Sequence, residues 1–173
     1  TDIFEPVYYE KNYLVLKEGD IAQYLHFICV GIIKVSYYKE EKEIIDWFAE
    51  EGIFIGNFLS YQTKQPVLET YESIEKVDML RARYADIENL LKDTPEVEIA
   101  LRKIQAIYHA KYVLRSQNLK SLSAEQKHHL FMTEYGDYVN RIPLKFIANY
   151  LGMTQETLSS ILAKHDKSNN TKK

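Results

Sequence analysis

A chain of 173 residues, 46% hydrophobic and 27% charged with a mean hydropathy of −0.35, holds enough apolar material for one good core or two small ones, which excludes general disorder. No apolar run approaches the roughly 20 residues of a bilayer span, and Asp2 and Glu5 stand where a signal peptide would be basic and then apolar, so a cytoplasmic protein without membrane contact is expected. The net charge of −3 conceals an asymmetry: residues 1–94 carry 10 Lys and Arg against 18 Asp and Glu, while residues 95–173 are net +5, as when an acidic front joins a mildly basic back.

From Val7 to Arg83 the chain reads as short strands separated by turns. The segments 7–9, 14–17, 25–29, 32–38, 43–48 and 72–82 are rich in β-branched and aromatic residues, punctuated by Gly19, Gly31, Gly52 and Gly56. An antiparallel jelly roll or barrel satisfies such a pattern. Trp47, Phe48, Phe54, Phe58 and Tyr61 either fill its core or line a pocket for an apolar or aromatic ligand. The lone cysteine, Cys29, excludes an internal disulfide, a multi-cysteine zinc site and a four-cysteine iron–sulfur cluster. His26 and Cys29 lie three apart on a predicted strand and so point to opposite faces, which leaves a core or rim histidine and a buried thiol in place of a metal pair. Metal-dependent jelly-roll oxygenases need paired histidines on one strand, and only His26 falls in the strand region; no catalytic residue, metal or cofactor is expected.

Residues 83–92 turn helical, with Ile87, Leu90 and Leu91 facing inward. Thr94-Pro95 then opens the longest helical pattern, to about Leu119. Val97, Ala100, Ile104, Ile107, Lys111 and Leu114 repeat at alternating spacings of three and four, widened by Leu101 and Tyr108: a coiled-coil seam that wants a partner. Residues 119–122 make a hinge, and Ser123 with Gln126 forms a capping box for a helix ending near Tyr135.

Residues 142–164, IPLKFIANYLGMTQETLSSILAK, scan as two short helices joined by a tight turn. Pro143 opens the first at N1, Gly152 ends it with a left-handed residue, and Thr154 caps the second. Ile147 and Leu151 share one inward face, and Leu158, Ile161 and Leu162 the other, with the small Ala148 where the helices would cross. This spacing predicts a helix-turn-helix, which presents its second helix to the major groove of DNA. An ordinary helical hairpin needs the apolar pattern but not small, glycine and capping residues at these offsets. The remaining HDKSNNTKK is too short and polar for a β-hairpin wing, and a disordered tail is expected there.

The runs GDIAQYLHFICVG (residues 19–31), FIGNF (54–58) and NRIPLKFIANYLGMTQETLS (140–159) together resemble the Crp/Fnr family of bacterial transcription regulators, and most of all its Bacteroidetes-type subgroup. The resemblance implies an α+β chain: a jelly-roll, cyclic-nucleotide-binding-like sensor domain over residues 1–94, a dimerisation helix and hinge over 95–120, and an all-α helix-turn-helix domain without a full wing over 121–173. It implies a homodimer clasped through Val97, Ala100, Leu101, Ile104, Ile107, Tyr108, Lys111 and Leu114, bound to an inverted repeat in double-stranded DNA, and not an enzyme. Glu156 matches the family's acidic base-reader; Gln155, Ser159 and Ser160 share its face, and Arg141, Lys145, Thr154 and Lys164 are candidates for phosphate contacts. Arginines usually stand at the positions of Gln155 and Ser160, so base preference should differ from that of the best-known members.

The effector site would be built from Phe54, Gly56, Asn57, Phe58, Val67 and Leu68. Members that bind cyclic AMP hold it with a Gly-Glu pair and an Arg-Ser or Arg-Thr pair. Here Gly56 is followed by Asn57, and the second pair falls on Val67 and Leu68, which have no side-chain donor for a phosphate. An effector other than cyclic AMP is expected, of unknown identity. The rival reading is a dimeric small-molecule sensor that has lost DNA binding.

Overall fold

The computed structural model describes residues 3–170, apart from the side chains of Leu119 and of residues 165–170. The chain divides into two compact units between Arg102 and Lys103.

The first unit is built on eight strands among the described residues: β1 (Glu5–Tyr9), β2 (Leu14–Leu16), β3 (Tyr24–Val30), β4 (Ile33–Lys39), β5 (Lys42–Ala49), β6 (Phe54–Ile55), β7 (Glu69–Ser73) and β8 (Val77–Arg83). They form two antiparallel four-stranded sheets, ordered β1-β8-β3-β6 and β2-β7-β4-β5. Alternation along the strands explains the core: Ile28, Ile55, Val77 and Met79 of the first sheet pack with Ile33, Val35, Ala49 and Tyr71 of the second. Each isoleucine, valine and methionine among them contributes about 1.5–3 kcal/mol by leaving water.

Where the sequence reads as one strand over residues 72–82, the structure has two, β7 and β8, in different sheets, because the chain turns a corner at Ile74–Lys76. An unbroken apolar and β-branched run does not reveal such a corner. Gly31 turns the chain from β3 into β4 with φ of 103°, and a Cβ there would lie 2.6 Å from the Lys76 carbonyl oxygen.

Lys34 lies near the start of β4, opposite Glu72 on β7, and is only 3% exposed. Its ammonium meets Glu43 at 2.6 Å and Glu72 at 2.9 Å. Burial works against that charge, but the hydrogen bonds and field of the two carboxylates outweigh it and raise the lysine pKa.

Helices follow the strands. Asn57 caps α1 (Phe58–Thr63), its Oδ1 accepting from the Ser60 amide at 2.9 Å. After β8 come α2 (Tyr84–Asp93), which buries Tyr84 and Ile87, and α3 (Pro95–Ser121), which passes from the first unit into the second.

The second unit continues with α4 (Ala124–Tyr135), a 3₁₀ turn (Gly136–Tyr138), α5 (Leu144–Tyr150) and α6 (Gln155–Asn170). The Ser123–Gln126 capping box is formed in both directions, at 3.3 and 2.9 Å. Phe131, Tyr135 and Tyr150 pack edge-on or tilted with centroids 5.1–5.7 Å apart. Ile142, Ile147, Leu151, Leu158 and Ile161 complete this core.

Two details correct the sequence reading. Pro143 is the N-cap of α5, one position before the expected N1, and its carbonyl accepts from Phe146 and Ile147. The segment expected to be a disordered tail continues α6 as far as Asn170; residues 171–173 lie outside the described residues.

Candidate functional site

The α5–α6 pair owes its geometry to its turn. Gly152 has φ of 65°; its amide donates to the Asn149 carbonyl and the Met153 amide to that of Ala148, each at 3.0 Å. These two bonds close a Schellman motif that stops α5. Thr154 then caps α6, its hydroxyl accepting from the Thr157 amide at 3.2 Å. Ala148 is buried, so the small side chain lies inside, as a close helix crossing requires.

With Leu158 and Ile161 buried, the opposite face of α6 presents Gln155, Glu156, Ser159 and Ser160 to solvent. The Glu156 carboxyl is held below the usual range by a hydrogen bond to its own backbone amide and another to the Thr154 hydroxyl, so it is an anionic acceptor at the positive end of α6. Ser160 donates its hydroxyl hydrogen to the Glu156 carbonyl at 2.9 Å, which leaves it an acceptor towards any ligand.

Arg141, Lys145, Thr154 and Lys164 are also exposed. Arg141 lies 5.5 Å from the Tyr138 ring and Lys145 4.9 Å from the Phe146 ring, while Lys164 is 3.6 Å from Glu125 of α4. Such an exposed pair is weak and is readily exchanged for another anion.

On the first unit, the residues around α1 come together unevenly. Gly56 is packed against Tyr84: a Cβ there would lie 2.2 Å from the tyrosine hydroxyl. That hydroxyl is buried and has no hydrogen-bond partner among the described residues, and burial pushes its pKa well up. Phe58 and Tyr61 pack tilted against the same ring, at 5.4 and 5.1 Å.

Asn57 donates to Glu69 at 3.4 Å, as does the Tyr71 hydroxyl at 3.0 Å. Burial, together with Asp46, raises the Glu69 pKa. Val67 is buried with its amide and carbonyl both engaged, by Asp20 and Gly19, whereas Leu68 is 76% exposed and Phe54 packs on Phe27 instead. The sequence pattern did not mark Glu69, Tyr71 or Tyr84 as neighbours of this site; Gly56, where only hydrogen fits, was the available signal.

His26 is buried opposite Arg81. Burial, aided by the arginine, lowers its pKa to about 4. Cys29, expected to be buried, is exposed, because the register shift between Ile28 and Val30 breaks the alternation at the end of β3. Among the described residues no group of three or more His, Cys, Asp or Glu is placed to hold a metal, and no helix is long and apolar enough to cross a membrane.

Along α3 the seam residues are uneven. Leu101 packs against the core cluster that holds Ala82, Tyr84 and Ile87; Val97, Ile104 and Tyr108 are half-buried; Ala100, Ile107, Lys111 and Leu114 are exposed.

Residues 6–94, just over half of the chain, match the family described as the cyclic nucleotide-binding domain. The chain belongs to that family. No curated protein matches it in sequence. Among solved structures, FixK2 from Bradyrhizobium japonicum superposes with a TM-score of 0.85 at 16% identity, over 96% of this chain and 86% of that one. CooA from Carboxydothermus hydrogenoformans, as a double mutant, gives 0.72 at 16% identity over 95% and 77%. The regulator CLP of Xanthomonas campestris, described as responsive to c-di-GMP, gives 0.71 at 12% identity over 96% and 88%. Over 95% or more of its length the chain is thus similar in fold to Crp/Fnr-type regulators.

Within the cyclic nucleotide-binding domain the Val67 amide is already donated to the Asp20 carbonyl. The nearest ionisable group held by Asn57 is the carboxyl of Glu69, which would repel an anion whenever it is charged.

Proposed function

We propose that the chain is a homodimeric, sequence-specific DNA-binding transcription regulator of the Crp/Fnr type and the Bacteroidetes-type subgroup, acting in the cytoplasm and not an enzyme. The observation that carries this reading is the α5–α6 pair: two helices joined by a glycine turn and a threonine cap, the second buried along Leu158 and Ile161 and offering Gln155, Glu156, Ser159 and Ser160 outward, which supports a helix-turn-helix. Residues 1–94 act as sensor, 95–120 as dimerisation helix and hinge, and 121–173 as the reading domain. Glu156 accepts from cytosine and Gln155 pairs with adenine, while Arg141, Lys145, Thr154 and Lys164 reach phosphates. Ile107 and Leu114, each more than half exposed, support a second copy along α3.

A genomic DNA selection with the full-length protein tests the proposal. Enrichment of an inverted repeat is expected; recovery of no sequence would favour a dimeric sensor that no longer binds DNA. That second reading is supported by Ser160, whose hydroxyl hydrogen is committed within the helix, and by the absence of arginine on the reading face.

The effector is of unknown identity and is not cyclic AMP. No side chain at Val67 or Leu68 pairs with a phosphate, and the Val67 amide is already donated to Asp20. Titration calorimetry with cyclic AMP should show no saturable heat, and a micromolar Kd would contradict this reading. Binding of an effector or partner acts by shifting α3 and its hinge, so that the two reading heads match or miss the half-site spacing.

A further inference from the structure

Tyr150 is the last residue of α5, two positions before the glycine that launches α6. It is buried, and groups from two other helices hold it. The Arg115 guanidinium of α3 lies 4.2 Å from its ring centroid. The hydroxyl in turn donates to Glu134 of α4 at 3.3 Å. Phe131 and Tyr135 close on the ring edge-on, at 5.4 and 5.7 Å.

A planar guanidinium can stack on a ring and donate in its own plane, which an ammonium cannot do. Arg115 therefore ties the carboxy-terminal half of α3 to the last residue of α5, just before the turn into α6. We propose that Arg115 is a positioning residue of the reading head: by clamping Tyr150 it makes the placement of α5 and α6 follow the long helix. This rests on the DNA-binding reading for its consequence, but not for its geometry.

The experiment uses the full chain carrying Arg115→Gln or Arg115→Lys, with Tyr150→Phe as a milder variant that keeps the ring and removes the hydroxyl. Without DNA, amide hydrogen exchange over residues 144–150 should quicken about tenfold in both Arg115 variants, and less in Tyr150→Phe, while β3, β4 and β8 stay unchanged. On the selected operator, affinity should fall about tenfold, within the range of ordinary coupling between sites, and operators with altered half-site spacing should be tolerated better than by the wild type.

Unchanged exchange in α5 would overturn the proposal. So would an equal loss on every spacing, since that is what simple destabilisation produces. If Arg115→Gln does not fold, faster α5 exchange in Arg115→Lys still supports the clamp and unchanged exchange there still refutes it. Faster exchange in a protein whose wild type binds no DNA would uphold the clamp and defeat the regulator assignment, so the two failures are distinguishable.

Discussion

Replacing Lys34 with methionine is expected to destabilise the jelly roll by about 3 kcal/mol, the loss typical of breaking a buried ion cluster on one side. The lysine is 3% exposed and sits between Glu43 and Glu72, themselves only 26% and 24% exposed. Removing the ammonium leaves two partly desolvated carboxylates beside each other, without the cation that offset their burial. Restoring neutrality should recover most of the loss, so the triple variant Lys34→Met, Glu43→Gln, Glu72→Gln should lie closer to the wild type than the single one. Urea unfolding at pH 7, followed through the single tryptophan, Trp47 in β5, measures both. A single variant within about 0.5 kcal/mol of the wild type would place Lys34 among ordinary surface pairs.

Acid should unfold the same unit through His26. In the fold its pKa is lowered from 6.5 to about 4, by burial first and by the charge of Arg81 second. Between those values the unfolded chain binds a proton that the folded one refuses, so stability rises with pH across this window and is lost as pH falls from 6.5 towards 4. The full shift corresponds to about 3 kcal/mol. Glu69 works in the opposite direction, because its raised pKa lets the fold take up a proton on the acid side. The diagnostic quantity is therefore the difference between the wild type and His26→Gln: denaturation midpoints measured from pH 7 to pH 4.5 should converge as the wild type loses its advantage. Parallel profiles would contradict a neutral, buried imidazole.

The elements that were legible in the sequence are those with a local signature. The Ser123–Gln126 box, the left-handed Gly152 and the Thr154 cap each act over two to four residues, and all three are formed. The long helix announced itself by its spacing and by Thr94-Pro95. What was hidden depends on partners distant in sequence. Lys34 reads as a solvent-facing lysine until Glu72, 38 positions away, is brought opposite it by β4–β7 pairing.

The short α1 and β6 lie in an aromatic-rich segment with no clear period, so the sequence showed only a run of candidate pocket residues. Val67 and Leu68 looked equivalent as apolar neighbours, yet one is buried and the other exposed. Tyr84 carries no local sign of its role; only the packing puts its hydroxyl against Gly56.

Reading an inverted repeat requires two copies offering paired α6 helices to one face of a duplex. Hydroxyl-radical footprinting of the full-length protein on its selected operator tests this most directly. Two protected half-sites centred about 10 base pairs apart, with two protomers bound per duplex, are the predicted result. A single protected half-site, or one protomer per duplex at saturation, would contradict it.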